Sequence, residues 1–236
     1  MLMEFVRKSR EAYYKDYSTG FMRSGSTGKV FRFANKMIEK QFSSSSFFDR
    51  VLELGATDFN HLTFVRHGFL QYVVSDVDTT VLENLPPPRA GVSIKKIEAS
   101  NLSMYPDDHF DRIIVTCLVL HLEKVESALT EWRRVLKPGG YISIYLHCEP
   151  GIMLRLARYL VNQRKAKSKG FDHIAFVYSE HITYYLAAKY AIKNVFNQDK
   201  ISISSFPFKY FSWNFNLWKI FTIQKQKDQN SGNSKN

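Results

Sequence analysis

The sequence predicts an α/β protein built on a doubly wound, mostly parallel sheet with helices on both faces. Two observations carry this. Between residues 47 and 147, short apolar runs of strand length alternate with stretches of helical periodicity, the pattern of strands joined by crossover helices. The run Phe110-Asp-Arg-Ile-Ile-Val-Thr-Cys-Leu118 is almost continuously apolar, as a parallel strand is when both its faces are covered.

The elements follow in order. Lys29 to Phe42 sets Val30, Phe33, Ala34, Met37, Ile38 and Phe42 at helical spacing, an amphipathic helix. Val51 to Ala56 (VLELGA) is a short buried strand that reaches glycine near its end, and a helix is expected from about Asn60 to His67. Gln71 to Val77 is the second strand, rich in β-branched residues and carrying an acid near its end. Thr79 to Leu85 is a short helix stopped by Pro86, Pro87 and Pro88. Ser93 to Glu98 is the third strand and Phe110 to Leu118 the fourth. Glu123 to Leu136 is a helix with Val125, Leu129, Trp132 and Leu136 along one stripe, ended by Lys137-Pro138-Gly139-Gly140. Tyr141 to His147 is the fifth strand.

The last third has another texture. Ile152 to Arg164 reads as a basic amphipathic helix with Ile152, Leu156, Leu160 and Val161 on its apolar side. Ser179 to Phe196 reads as a second helix, with Ile182, Tyr185, Leu186 and Val195. Ile201 to Phe208 and Trp218 to Ile223 are two late strands. The aromatics around the turn between them (Phe206, Phe208, Tyr210, Phe211, Trp213 and Phe215) are expected to alternate as core residues. From Gln224 the chain is polar and expected to be disordered.

Composition narrows the class. The chain has 236 residues, of which 44% are hydrophobic and 15% aromatic, enough for a packed core. No apolar run approaches the roughly 20 residues that span a bilayer. The first residues show no apolar stretch with a small-residue cleavage site, so no secretory signal is expected. Two cysteines, Cys117 and Cys148, make neither a disulfide framework nor a metal centre. A reducing cytoplasm is the expected location. The net charge of +11 divides unevenly: +5 over residues 1–50, −4 over 51–149 and +10 over 150–236. That asymmetry suits nucleic acid, an anionic membrane surface or an acidic ligand, or simply a solvated basic face.

In sheets of this kind ligands bind beyond the carboxyl ends of the strands. Gly55, Asp76, Glu98 and Cys117 sit at those predicted ends. Asp76 lies 21 residues after Gly55, close to the roughly 20 between a glycine turn and the acid that accepts both hydroxyls of a ribose. Its competing reading is a cap on the following segment, a role for which Asp78 is better placed.

These residues resemble a known family. VLELGA, the acid Asp76, FDRIIVTCLVLHL and LTEWRRVLKPGGYISIY together resemble class I S-adenosylmethionine-dependent methyltransferases over about residues 47–147, in particular the small-molecule, type-11-like methyltransferase domain. The resemblance implies a Rossmann-like core over residues 47–148 that binds S-adenosylmethionine. Residues 1–46 would be a helical segment covering the cofactor site. Residues 149–223 would supply acceptor-recognition helices and the last two strands, and 224–236 a tail. It implies Glu53, Gly55 and Ala56 in the first loop, Val77 against the adenine beside Asp76, the pair Glu98 and Ala99 at the adenine amino group, and Cys117 and Leu118 at the methionine end. A solvent-exposed Glu98 and a buried, inert Cys117 are the competing readings. The sequence departs from the family's glycine-rich loop: Thr57 and Phe59 stand at the later glycine positions, where a side chain restricts how closely the backbone meets a ligand.

Methyl transfer needs alignment and, for a hydroxyl acceptor, a base. His121 after the fourth strand and His173 in the C-terminal lobe are the expected catalytic residues, with His147 and His181 also within reach of that region. His61 and His67 are expected on a helix surface. Arg155, Arg158 and Arg164 would hold an anionic acceptor through charge-assisted hydrogen bonds. The leading expectation is methyl transfer to an oxygen or nitrogen of a small, anionic acceptor such as a sugar, glycan precursor or lipid head group. The alternatives are a nucleic-acid methyltransferase or binder and a non-catalytic interaction protein. Peripheral membrane contact through Ile152–Arg164 is a further possibility.

Overall fold

A computed structural model describes residues 7–8, 25–56, 61–78, 82–83, 88 and 90–227. Seven strands form one sheet: β1 Phe47–Leu54, β2 Gly68–Asp76, β3 Val92–Lys96, β4 Phe110–Val115, β5 Leu136–His147, β6 Lys200–Phe206 and β7 Trp218–Gln224. Their order is β3-β2-β1-β4-β5-β7-β6. The first five are parallel, and β7 runs antiparallel between β5 and β6. The order reverses between β1 and β4, so a crevice opens at their carboxyl ends.

Alternation along the strands sorts the core into two layers. Leu52, Leu54, Ile113, Val115, Ile142 and Ile144 face helices α2 (Val125–Val135) and α6 (Tyr185–Val195), where Trp132 and Ile192 are fully buried. Val51, Tyr72, Ile114 and Tyr145 face helix α1 (Gly25–Glu39) on the other side. The doubly wound, mostly parallel sheet expected from the sequence is therefore present, with the two late strands at one edge.

Several local expectations change. The segment expected to be a helix from Asn60 to His67 holds a single 3₁₀ turn, His61–Phe64, among its described residues. The fourth strand stops at Val115 and is followed by a 3₁₀ turn, Val119–His121. Lys137 to Gly140 are drawn into the start of β5 across a register shift between Phe110 and Arg112. Thr57 and Phe59, most of the expected helix from Thr79 to Leu85 and residues 228–236 lie outside the described residues.

The largest correction concerns the basic helix. It is α3 (Ile152–Ala157), continued by a π segment (Arg158–Gln163) and a last turn, α4 (Arg164–Lys167). Its apolar stripe faces outward: Ile152 is 58% exposed, Leu156 51% and Leu160 43%, while Leu154 is buried. The π segment changes the residues per turn and brings Arg158, Val161 and Asn162 to one wall of the crevice. The next helix, expected from Ser179, begins only at Tyr185 as α6; a helix not read from the sequence, α5 (His173–Glu180), precedes it, and Ile182 is exposed in the break. The aromatic turn is a second correction: Phe208, Tyr210, Phe211 and Phe215 are exposed.

Candidate functional site

A cavity of about 460 Å³ lies at the switch point, within the range of small-molecule sites. Its floor is the carboxyl ends of β1, β2, β4 and β5. Its walls are α1, α3 with its π segment, and α5.

The floor carries several residues expected from sequence. Gly55 has φ +69, and a Cβ there would stand 3.0 Å from the Thr116 carbonyl oxygen. Only glycine meets both demands without strain. Ala56, expected beside it, lies behind the floor in the α1-side core, fully buried and outside the cavity lining, and its N–H donates to Ser75 O at 2.9 Å. Asp76 ends β2 on the cavity, where its Oδ1 accepts the Asp78 N–H at 3.0 Å. Burial raises its pKa above the ordinary value. Val77 is exposed toward the same space. Cys117 has φ +51, and burial pushes its thiol up to about 12, so it is an inert lining group beside Leu118.

Three more expected residues are placed elsewhere. Glu53 is buried on the α1 side of β1, where its Oε2 accepts the Tyr72 hydroxyl at 2.7 Å, and it is not part of the cavity lining. Glu98 is exposed and accepts the Ser100 hydroxyl at 3.0 Å. Ala99 packs in the core, and its carbonyl accepts the Trp132 indole N–H at 2.8 Å.

The walls supply the polar chemistry. His121, His147, His173 and His181 all line the cavity. His121 keeps accessible surface, yet the protein packed around its ring, followed by the neighbouring His181, lowers its pKa to about 4. His173 is buried, and burial with the nearby Arg158 lowers it to about 3. Its Nε2 accepts from the Asn162 amide at 3.2 Å, and Asn162 Oδ1 accepts the Thr27 hydroxyl of α1 at 2.8 Å. Burial also takes His147 well below its ordinary value.

His181 has a carboxylate behind it. Its Nδ1 meets Glu149 Oε2, and Arg158 NH1 meets Glu149 Oε1 at 2.7 Å. Burial alone would raise the Glu149 carboxyl. The His181 hydrogen bond and the Arg158 charge outweigh burial and hold it at about 2. The His121 ring stands edge-on to His181, with centroids 4.8 Å apart. Sequence reasoning missed Glu149 and its pairing with His181. The available signal was an acid two residues beyond β5, at the border of the basic last third of the chain.

The cations divide. Arg158 lies in the cavity wall, Arg155 is exposed on a neighbouring groove, and Arg164 is exposed and lines neither. Among the described residues no cluster has the makings of a metal site.

Residues 52–144 match the sequence model of a family described as a methyltransferase domain. A comparison with curated proteins finds no match. Among solved structures the chain is similar to an S-adenosylmethionine-dependent methyltransferase from Archaeoglobus fulgidus, with 13% identity, a TM-score of 0.61, and 89% of this chain and 100% of that one covered. It is similar to the CurJ carbon methyltransferase at 13% identity and TM-score 0.59, covering 89% of this chain but 58% of that one, so it spans little more than half of that chain's length. It is also similar to the N-methyltransferase NodS from Bradyrhizobium japonicum WM9 in complex with S-adenosyl-L-homocysteine, at 13% identity and TM-score 0.56, covering 82% and 86%. At these identities the structural likeness speaks for the fold, and the sequence match over β1 to β5 speaks for the family. Through that core the chain resembles the class I S-adenosylmethionine-dependent methyltransferases.

Proposed function

We propose that the protein transfers a methyl group from S-adenosylmethionine to a hydroxyl oxygen of a small acceptor. The observation that carries this reading is the Glu149–His181 pair in the wall of the same cavity that presents Gly55 and Asp76. The floor fits the cofactor. Gly55 leaves room where a Cβ would collide, and the Asp76 carboxylate has acceptor capacity left for a ribose diol. Cys117 and Leu118 offer an uncharged wall for the methionine end. When bound, the cofactor supplies an electrophilic methyl on a sulfonium.

The chain's own residues do the rest. Glu149 fixes the His181 tautomer by accepting from Nδ1, which leaves Nε2 to take the acceptor's hydroxyl proton. The carboxylate then stabilises the imidazolium, as in other histidine–carboxylate pairs. His121 and His173, expected as catalytic from sequence, hold protons too weakly for this at neutral pH. In this reading His121 packs against the base and His173 anchors Asn162. Arg158 spends NH1 on Glu149 and keeps other N–H groups for an anionic group on the acceptor.

The test is transfer of labelled methyl into pools of hydroxyl-bearing acceptors, alongside calorimetry with S-adenosyl-L-homocysteine. Micromolar binding lost in Asp76→Ala, with label in an O-methyl product, supports the reading. Label found only on nitrogen or carbon would remove the role given to His181. No cofactor binding at all would remove the enzyme reading and leave an interaction module.

A further inference from the structure

The outward stripe of α3 adjoins the aromatic turn before β7, and neither lines the cavity. Ile152, Leu156 and Tyr159 follow at i, i+4 and i+7, with Arg155 among them, and Tyr159 is 61% exposed. Together with Tyr178 of α5 they line a groove of about 480 Å³ that shares Arg158 and Val177 with the cofactor cavity. The turn Trp213–Phe215 packs against the start of α3. Gly151 permits that approach, since a Cβ there would stand 3.2 Å from the Trp213 carbonyl oxygen.

The aromatic turn is held rigidly while its rings point out. Buried Asn216 accepts the Phe208 N–H at 2.9 Å and donates to the carbonyls of Phe211 and Ser212 at 3.2 and 2.9 Å. Tyr210, beside Lys209, is 89% exposed. A buried amide thus spends its hydrogen bonds fixing a loop whose outward side chains are aromatic. Exposed apolar side chains gathered on one face suit a partner surface.

We infer that this surface seats the protein on an anionic lipid bilayer, with the apolar side chains of α3 and the aromatic turn entering the interface and the flanking cations meeting the head groups. Charge selects that partner. Arg155 stands within the α3 stripe and Lys209 beside Tyr210, so a second copy of the same face would bring like charges together, whereas an anionic leaflet attracts them. Aliphatic Ile152 and Leu156 gain from acyl chains and have no bases to stack on. Among the described residues no helix is long and apolar enough to cross a membrane, so the contact is peripheral. The seat does not depend on the methyl-transfer reading.

Flotation of the full chain with vesicles tests it, using phosphatidylcholine alone and phosphatidylcholine with phosphatidylglycerol. The expected result is co-flotation with the anionic vesicles, weakened by raising the salt. Partition should fall about tenfold or more in Leu156→Asp and in Tyr210→Asp, both at exposed positions that leave the fold intact. Asp76→Ala should float like the parent, which separates this inference from the cofactor reading. A parent chain that stays unbound overturns it. So do variants that bind as well as the parent, a concentration-dependent dimer abolished by Leu156→Asp in sedimentation, and RNA binding abolished by Tyr210→Asp without any vesicle binding.

Discussion

Glu39 and Glu149 are buried carboxylates that each lie between an arginine and a histidine. Glu39 accepts from Arg112 at 2.5 and 3.0 Å and meets His61 at 2.7 Å, under α1. Glu149 meets Arg158 and His181. Burial works against ionisation in both, yet their partners hold both at about 2. Their surroundings differ. Around Glu39, the Arg112 guanidinium lies 3.9 Å from the centre of the Phe42 ring, His61 Nδ1 meets Asn35, and Glu39, Arg112 and His61 are each at most 1% exposed. Around Glu149, both partners line a cavity. The same three residue types therefore make a sealed structural knot in one place and a group lining a cavity in the other. Access, rather than composition or pKa, separates them.

The first way to break that comparison is to remove each centre. His181→Ala is expected to lower turnover by roughly 10²–10⁴-fold, the usual worth of a positioned base, while the calorimetric affinity for S-adenosyl-L-homocysteine stays near the parent's. Glu39→Gln is expected to do the opposite. It costs about 3–5 kcal/mol of stability in denaturant unfolding, because Arg112 is left buried without its counter-charge, and it leaves turnover per folded molecule intact. A Glu39→Gln protein that unfolds like the parent would dissolve the distinction.

The floor of the cavity gives the next largest effect. Asp76→Ala is expected to weaken cofactor binding by roughly 10–100-fold, the loss of charge-assisted hydrogen bonds to a diol, with the melting temperature of the free protein nearly unchanged. Glu53→Gln tests the acid that turned away from the cavity. Its carboxyl is raised by burial and bonded to Tyr72, so the amide is expected to shift stability and leave cofactor affinity alone.

These contrasts also show what the sequence could convey. β1, β2, β4 and β5 were legible because the buried parts of parallel strands are apolar on both faces and need no partner information, whereas the antiparallel β6 and β7 showed only as short runs of isoleucine and aromatic residues. Asp76 and Gly55 were legible because a fixed spacing links a turn to the acid on the next strand. The outward face of α3 was not. Periodicity marks an apolar stripe but not what the stripe meets, and the π segment rotates the second half of the helix. The pairing of Glu149 with His181, 32 residues apart, has no periodic trace. His61 was placed on a helix surface because nothing in the sequence says that Glu39 and Asn35 close over it. Glu98 and Ala99 were assigned together from one strand end, yet one is exposed and the other lies in the core.

Acid should erode both centres through their histidines. His67 beside Glu39 is lowered to about 4, and His173 by the cavity to about 3, against about 6.5 in an unfolded chain. A histidine whose folded pKa is depressed contributes stability that is complete above about pH 6.5 and is lost as pH falls toward 3–4. Melting temperature is expected to be level between pH 7 and 8 and to drop by on the order of 5 °C or more by pH 5. His67→Phe should reduce the drop. An equal drop in that variant would move the cause elsewhere.

The smallest expected effect addresses how far the two centres are joined. α1 carries Glu39 at its last turn and Thr27 at its first, and Thr27 reaches the cavity wall through Asn162 and then His173. The Thr27–Asn162 hydrogen bond is partly buried, so Thr27→Val is expected to cost about 1 kcal/mol. Thr27 and Glu39 are separated by roughly 18 Å of helix, beyond the distance at which substitutions usually couple. Thr27→Val combined with Glu39→Gln should therefore add within about 0.5 kcal/mol, whereas Thr27→Val with Asn162→Leu should fall short of additivity because both remove one bond. If the first pair couples as strongly as the second, α1 transmits strain between the sealed knot and the cavity wall, and the two centres form one network.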